Sequence, residues 1–248
     1  ALIRAAGTPI AAPSANRSGR PSPTRASHVR EDMDGRIDML LDGGPVGIGL
    51  ESTIIDVSGR EPSLLRPGFI SEEMLKRTLR RLSVDAASVG PADPGRHPKA
   101  PGMKYRHYAP EAPMTIVQGP AAMVEKAICY HAREALLAGK SVGVLCATES
   151  LLTYRRRLGA DCTACRHGGL AASCICRPAE GGDAKLLLTV LGSRQEPESI
   201  ARNLYDALRT FDSEGAREIY SESFDEGQLG GAIMNRLKKA AGYHILEV

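Results

Sequence analysis

The chain has 248 residues, 42% of them hydrophobic and 25% charged, with a net charge of +3 at pH 7. That length fits one large domain or two ordinary ones, the composition is that of a soluble globular protein, and so small a charge does not by itself imply nucleic-acid binding. No apolar run approaches the ~18 residues of a membrane helix. The first thirty residues carry five Arg and no long apolar stretch, so no signal peptide is visible and the default compartment is the cytoplasm.

The chain opens at Ala1 in a helix-like LIRAAG, which reads as the middle of a domain. Residues 1–30 hold Arg4, Arg17, Arg20, Arg25 and Arg30 without an acidic residue, a pattern that suits either a polyanionic ligand or a solvated basic face. Up to about residue 84, short β-like runs at 8–13, 36–41, 51–57 and 63–67 alternate with Gly/Pro/Ser turns. Two helices are expected among them, over 24–34 and 71–81. Ser71 is the N-cap of the second, with Glu72 and Glu73 in its first turn. Residues 85–112 are rich in Pro and Gly and keep no apolar period, which reads as an extended linker.

From Met114 the pattern becomes regular. Strands are expected at 114–117, 141–146, 185–190 and 217–220, and helices at 120–138, 149–158, 197–213 and 229–241. The clearest helix, 197–213, sets Ile200, Leu204, Leu208 and Phe211 along one face. Strands alternating with helices at these lengths imply a parallel sheet with helices on both faces, a Rossmann-like α/β domain over 113–248. The first strand–helix turn, Gln118-Gly119-Pro120, is not a phosphate loop.

Three segments of the first part carry candidate chemistry. PSANRSGRPSPT (13–24) gathers hydroxyls and guanidinium groups on a Pro-rich loop, a receptor for phosphate or carboxylate. LDGGPVGIGLESTIIDV (41–57) has a Gly-rich turn that allows close backbone approach to a ligand, then Glu51, Ser52 and Thr53. LLRPG (64–68) ends on the cation Arg66. His28, on the first of the two expected helices, reads as a surface residue rather than a base. Cys129 and Cys146 read as small core residues. Cys162, Cys165, Cys174 and Cys176 form C-x2-C-x8-C-x-C, which leaves open a metal site, a redox role or a merely Cys-rich loop.

Taken together and in order, these strings resemble the threonylcarbamoyl-AMP synthase family, whose catalytic unit is the YrdC-like α/β domain. APGMKYRHYAP (100–110), LGSRQEPESIARNLYDALRTFD (191–212) and GGAIMNRLKKAA (230–241) extend the resemblance into the longer, two-domain form. It implies that residues 1–84 are the C-terminal part of the YrdC-like domain, 85–112 the linker, and 113–248 the additional domain. Family members join L-threonine, bicarbonate and ATP, with Mg²⁺, into threonylcarbamoyl-AMP and pyrophosphate. Separate tRNA threonylcarbamoyl-transfer machinery uses that product to modify an adenosine of tRNA. Carried onto this sequence, the resemblance implies that Ser14 and Ser22 contact ATP and that Arg66 binds its phosphates. Ser52 and the backbone around Ala12 hold L-threonine, while Asn16 braces the loop. Lys104, Tyr105, Arg106, His107 and Tyr108 are expected to act as a linker lid over an anionic ligand. The family's N-terminal basic and threonine-binding residues have no counterpart in this sequence, so the chain alone is expected to be inactive.

Two other readings stand beside this one: an RNA-binding module, and carbamoyl transfer by a related domain. Near-neutral charge and few aromatic residues limit any RNA contact to a weak one. The KYRHY segment and the C-terminal domain set the chain apart from the carbamoyl-transfer proteins.

Overall fold

A computed structural model of the chain describes residues 1–85, 90, 108–166, 172–178 and 183–248. The first part contains α1 (Leu2–Ala6), α2 (Ala26–Met33), β1 (Ile54–Asp56), β2 (Ser63–Arg66), α3 (Glu72–Lys76) and β3 (Ser83–Val84). β1 and β2 pair antiparallel with Ile54 opposite Arg66, and β3 joins β2 in parallel with Ser83 opposite Ser63. Ser71 caps α3 by accepting from the Met74 amide at 3.2 Å. α3 is shorter than the expected 71–81 because the Arg77 amide turns to Met74, three residues back, and tightens the last turn. The β-like runs 8–13 and 36–41 are not strands. Among the described residues no strand lies beside either of them to take up a ladder.

The second part is a mixed α/β unit on a seven-stranded sheet. In chain order it runs β4 (Met114–Gln118), α4 (Ala121–Leu137), β5 (Val142–Ala147), a 3₁₀ turn, α5 (Leu151–Arg157), β6 (Ala160–Arg166) and β7 (Ala172–Pro178). It continues through β8 (Leu186–Gly192), α6 (Pro197–Glu214), β9 (Glu218–Glu222), α7 (Leu229–Ala240) and β10 (Ile245–Glu247). The strand order is β10-β4-β9-β5-β8-β7-β6. The first five are mutually parallel, while β7 runs antiparallel to both β8 and β6. The hairpin β6–β7 and the edge strand β10 are additions to the sequence-based expectation, and the hairpin makes the sheet mixed rather than wholly parallel.

The sheet is buried on both faces. One core gathers Ile116, Leu145 and Leu187 with Ile200, Leu204, Leu208 and Phe211 of α6 and Ile233 and Leu237 of α7. The other sets Val142, Val144 and Leu186 against Val124 and Ile128 of α4 and Tyr154 of α5, and includes Cys129, Cys146, Cys174 and Cys176. The first part is different. Among its described residues Leu64 and Leu65 are the buried large aliphatic side chains, while Leu2, Ile3, Ile10, Ile37, Met39 and Leu41 are exposed. No described helix is long and apolar enough to cross a membrane.

What closes the two parts on one another is α6. Gly49 has φ +82°, and a Cβ there would collide with the Arg202 backbone. The Gly-rich turn therefore allows close approach to a helix of the same chain, where the sequence suggested a ligand.

Candidate active site

The centre of the site is the Glu51 carboxylate, just ahead of β1. Its Oε1 accepts from the Ser22 hydroxyl at 2.6 Å. Its Oε2 accepts from the Tyr205 hydroxyl of α6 at 2.8 Å and from Arg236 Nε of α7 at 3.0 Å. Burial pushes this carboxyl's pKa up, but the Arg236 charge and the two hydroxyls outweigh it and hold it below the ordinary value. Arg236 is fully buried and also donates through Nη1 to the Pro67 carbonyl at 2.7 Å. Among the described residues its Nη2 has no hydrogen-bond partner.

Arg66, at the end of β2, donates from Nε to the Ser52 carbonyl at 3.0 Å and from Nη2 to the Ser52 hydroxyl at 3.3 Å. It also hydrogen-bonds Tyr108. The Tyr108 ring lies 5.2 Å from that of Tyr205, with the Arg236 guanidinium 5.8 Å from its centroid. Lys239, one turn beyond Arg236, is 1% exposed. Burial first, then the charges of Arg236 and Arg66, lower its pKa from 10.5 to about 8. Three cations thus surround one carboxylate, an excess of positive charge that suits an anionic ligand.

The structure therefore brings Ser22, Ser52, Arg66 and Tyr108 into one connected cluster. Ala12 and Ser14 are exposed, and among the described residues neither bonds to that cluster. Lys104, Tyr105, Arg106 and His107 lie outside the described residues. Asn16 donates from Nδ2 to the carbonyls of Arg17 and Arg20, tying its own loop together.

His28 is buried, contrary to expectation, because α6 packs over that face of α2. Its ring contacts Thr24, Arg25 and Asp206. The basic run is likewise largely consumed internally. Arg20 pairs with Glu31, Asp32 and Asp212, Arg25 with Asp206, and Arg17 with Asp32. Among the described residues no group of three or more His, Cys, Asp or Glu is arranged to hold a metal.

Glu51, Tyr205, Arg236 and Lys239 were not identified as site residues from sequence. The available signal was two cations, Arg236 and Lys239, interleaved with the apolar residues Ile233, Leu237 and Ala240 on a helix that is buried almost all round. A second polar cluster, at the C-terminal ends of β5 and β9, is closed on itself. There Glu222 accepts from the Ala147 amide, the Tyr154 hydroxyl and Arg194 at 3.0, 2.9 and 2.7 Å.

Fold and cluster together define a two-part α/β protein whose helical layer clasps a cation-rich, hydroxyl-lined loop site. Comparison with known proteins makes the assignment specific. Residues 70–242 match the family profile described as threonylcarbamoyl-AMP synthase, C-terminal domain, and residues 1–68 match the profile described as telomere recombination. The threonylcarbamoyl-AMP synthase of Bacillus subtilis (strain 168) is 41% identical over 99% of this chain and 61% of its own length. That of Pyrococcus abyssi is 38% identical over 100% of this chain and 62% of its own. The crystal structure of P. abyssi Sua5 complexed with L-threonine superposes with a TM-score of 0.77, covering 100% of this chain and 62% of that one. The chain belongs to the threonylcarbamoyl-AMP synthase family, and it spans about three fifths of the length of these relatives.

Proposed function

We propose that the complete gene product is an L-threonylcarbamoyladenylate synthase, a nucleotidyltransferase that supplies threonylcarbamoyl-AMP to the machinery modifying tRNA. The threonine amine adds to bicarbonate with loss of water. An oxygen of the resulting carbamate attacks the α-phosphorus of ATP, and pyrophosphate leaves. Both reactants are anionic, so the enzyme's task is to hold them in line and neutralise charge, with no covalent intermediate. The observation that carries this reading is the convergence of Ser22, Ser52 and Arg66 on one cation-rich cluster. On this reading Ser14, Ser22 and Arg66 meet ATP, and Ala12 and Ser52 meet L-threonine. Mg²⁺ enters as the substrate complex MgATP. Glu51, the carboxylate of the cluster, is already paired with Arg236 among further cations, which supports that reading over a resident metal.

Lys104 to His107 would close over the phosphates, with Tyr108 as the fixed end of that lid because its ring is buried under Tyr205 and Arg236. Closure would keep water from the mixed anhydride product. The exposed apolar residues of the first part, together with the relatives' greater length, support the further reading that residues 1–248 alone do not turn over. The test is pyrophosphate release by the complete gene product. Release should require ATP, L-threonine and bicarbonate together, and isolated 1–248 should give none. Salt-dependent tRNA binding without threonine-dependent turnover would favour the RNA-binding alternative.

A further inference from the structure

We propose that Glu51 and Arg236 are a positioning pair through which the C-terminal domain sets the geometry of the substrate residues, so that α7 is part of the active site. The proposal rests on the synthase reading for its substrates, but its own observations are independent of it.

One guanidinium reaches two of the three chain segments that carry site residues. Through Nε it holds Glu51, the neighbour of Ser52, and through Nη1 it holds the carbonyl of Pro67, the neighbour of Arg66. Glu51 passes the constraint on by accepting the Ser22 hydroxyl with its other oxygen. Ser22, Ser52 and Arg66 come from three separate stretches of the first part, and all three are referenced to one side chain of α7. Tyr205 of α6 adds a second donor to the same carboxylate, and the rings of Tyr205 and Tyr108 clasp the end of the linker.

Stability alone is a poor account of this arrangement. Removing two charges from water offsets most of the attraction between them, and apolar replacements of the same volume often serve stability as well or better. Here the guanidinium is fully buried, its Nη2 has no partner among the described residues, and Arg66 and Lys239 add like charge nearby. An Arg fork fixes direction as well as distance, which a packed apolar pair cannot do. That combination is what holding several ligand-contacting groups to a small tolerance requires.

The inference concerns position, so its decisive readouts are affinity and the split between KM and kcat. The complete gene product is compared with Glu51→Gln, which keeps shape and removes charge, and Arg236→Lys, which keeps charge and removes the fork. Tyr205→Phe is the mild variant that folds if the others do not. Tyr154→Phe is the control, since it takes an equivalent buried hydroxyl from Glu222 in the closed cluster. Calorimetric ATP affinity should fall in Glu51→Gln and Arg236→Lys, and kcat/KM for ATP and threonine should drop about 10- to 100-fold, the scale of a misplaced reacting group. Tyr205→Phe should show a smaller loss in the same direction, and Tyr154→Phe should lower the melting temperature with both KM values unchanged.

If Glu51→Gln and Arg236→Lys bind ATP as wild type does, or lose activity only in proportion to their unfolded fraction, the pair is purely structural and the proposal is overturned. Absence of threonine-dependent pyrophosphate release in wild type would sink the synthase reading instead. ATP affinity would then still decide the positioning claim.

Discussion

The Arg209 guanidinium donates twice to the Pro21 carbonyl, at 3.1 Å from Nε and 2.7 Å from Nη2, so α6 fixes the peptide immediately before Ser22. The same Nη2 lies 2.5 Å from Asp32 of α2, whose side chain is wholly buried. Arg20 reaches the other oxygen of Asp32 at 2.8 Å. This ion pair joins the two parts of the chain and sits beside the candidate ATP loop.

Replacing Arg209 by Met should therefore destabilise the protein by about 3 kcal/mol or more, because it leaves a buried carboxylate short of a partner. Adding Asp32→Asn should recover part of the loss. Urea denaturation of the two single variants and the double variant measures this. Equal and additive losses would show that the two groups do not couple.

Asp32 also sets an acid limit. Burial pushes its carboxyl up, yet hydrogen bonding and charge from Arg209, with Arg20 beyond, hold the net value below the ordinary 3.8. A group depressed in the folded state contributes stability that is full above its unfolded pKa and is lost as pH falls through its folded one. The contribution should thus be intact at pH 5, begin to fall near pH ~4, and be lost as pH drops through the lower folded value. Asp32→Asn should flatten that limb of the stability–pH curve.

Arg66→Ala in the complete gene product should weaken ATP binding by about 1.5–3 kcal/mol, the range for a hydrogen bond to a charged group. Threonine binding should suffer too, because Ser52 loses the donor that holds both its hydroxyl and its carbonyl. Calorimetry with each ligand separates the effects, and unchanged ATP affinity would remove Arg66 from the site.

Much of the second part was legible from sequence because its signal is local. Ile200, Leu204, Leu208 and Phe211 declare a helix from their spacing, and Ser71 declares a cap. The site was legible only in pieces. Ser22, Ser52 and Arg66 stood in recognisable strings, but the carboxylate joining them draws its donors from Tyr205 and Arg236, 154 and 185 residues away. No periodicity or spacing rule reaches across that separation. His28 was misjudged for the same reason, since the face of α2 that looked exposed is covered by a helix some 180 residues further on, where Asp206 meets its ring.

Stability should rise with pH at Lys239 as it does at Asp32, but in an alkaline window. Its folded pKa is about 8, against 10.5 for an unperturbed Lys. Below pH 8 the buried ammonium is charged at a cost, and between pH 8 and 10.5 the unfolded chain binds the extra proton, so stability rises with pH across that window. Measured against Lys239→Met, wild type should gain about 3 kcal/mol between pH 7.5 and 10.5. A difference that stays flat would mean that burial and the charges of Arg236 and Arg66 do not lower the pKa of this group. ATP bound at Arg66 should raise the Lys239 pKa and shift the window upward.

The backbone register of β6 and β7 sets the four clustered cysteines in facing pairs. In the β6–β7 hairpin Cys162 stands opposite Cys176 and Cys165 opposite Cys174, with a bulge between Cys162 and Ala164. The bulge absorbs one residue, so C-x2-C on one strand comes into register with C-x-C on the other. Facing antiparallel residues have Cα atoms about 4.5–5.5 Å apart, inside the range that a disulfide spans. Treatment of the folded protein with diamide, which is reduced as it takes two hydrogens from each thiol pair, should therefore join Cys162 to Cys176 and Cys165 to Cys174. Peptide mapping reads the linkage. Cys129, Cys174 and Cys176 are all buried, so reaction should be slow at each. What singles out the hairpin pairs is a facing cysteine on the neighbouring strand. Cys129, on α4 with its thiol pushed up to about 11, should stay unmodified. If about one equivalent of zinc accompanies protein purified without chelator, blocks this oxidation, and is lost in Cys162→Ser with Cys165→Ser, the ladder is a metal site. Disulfides joining Cys162 to Cys165, or Cys174 to Cys176, would mean that the hairpin register is wrong.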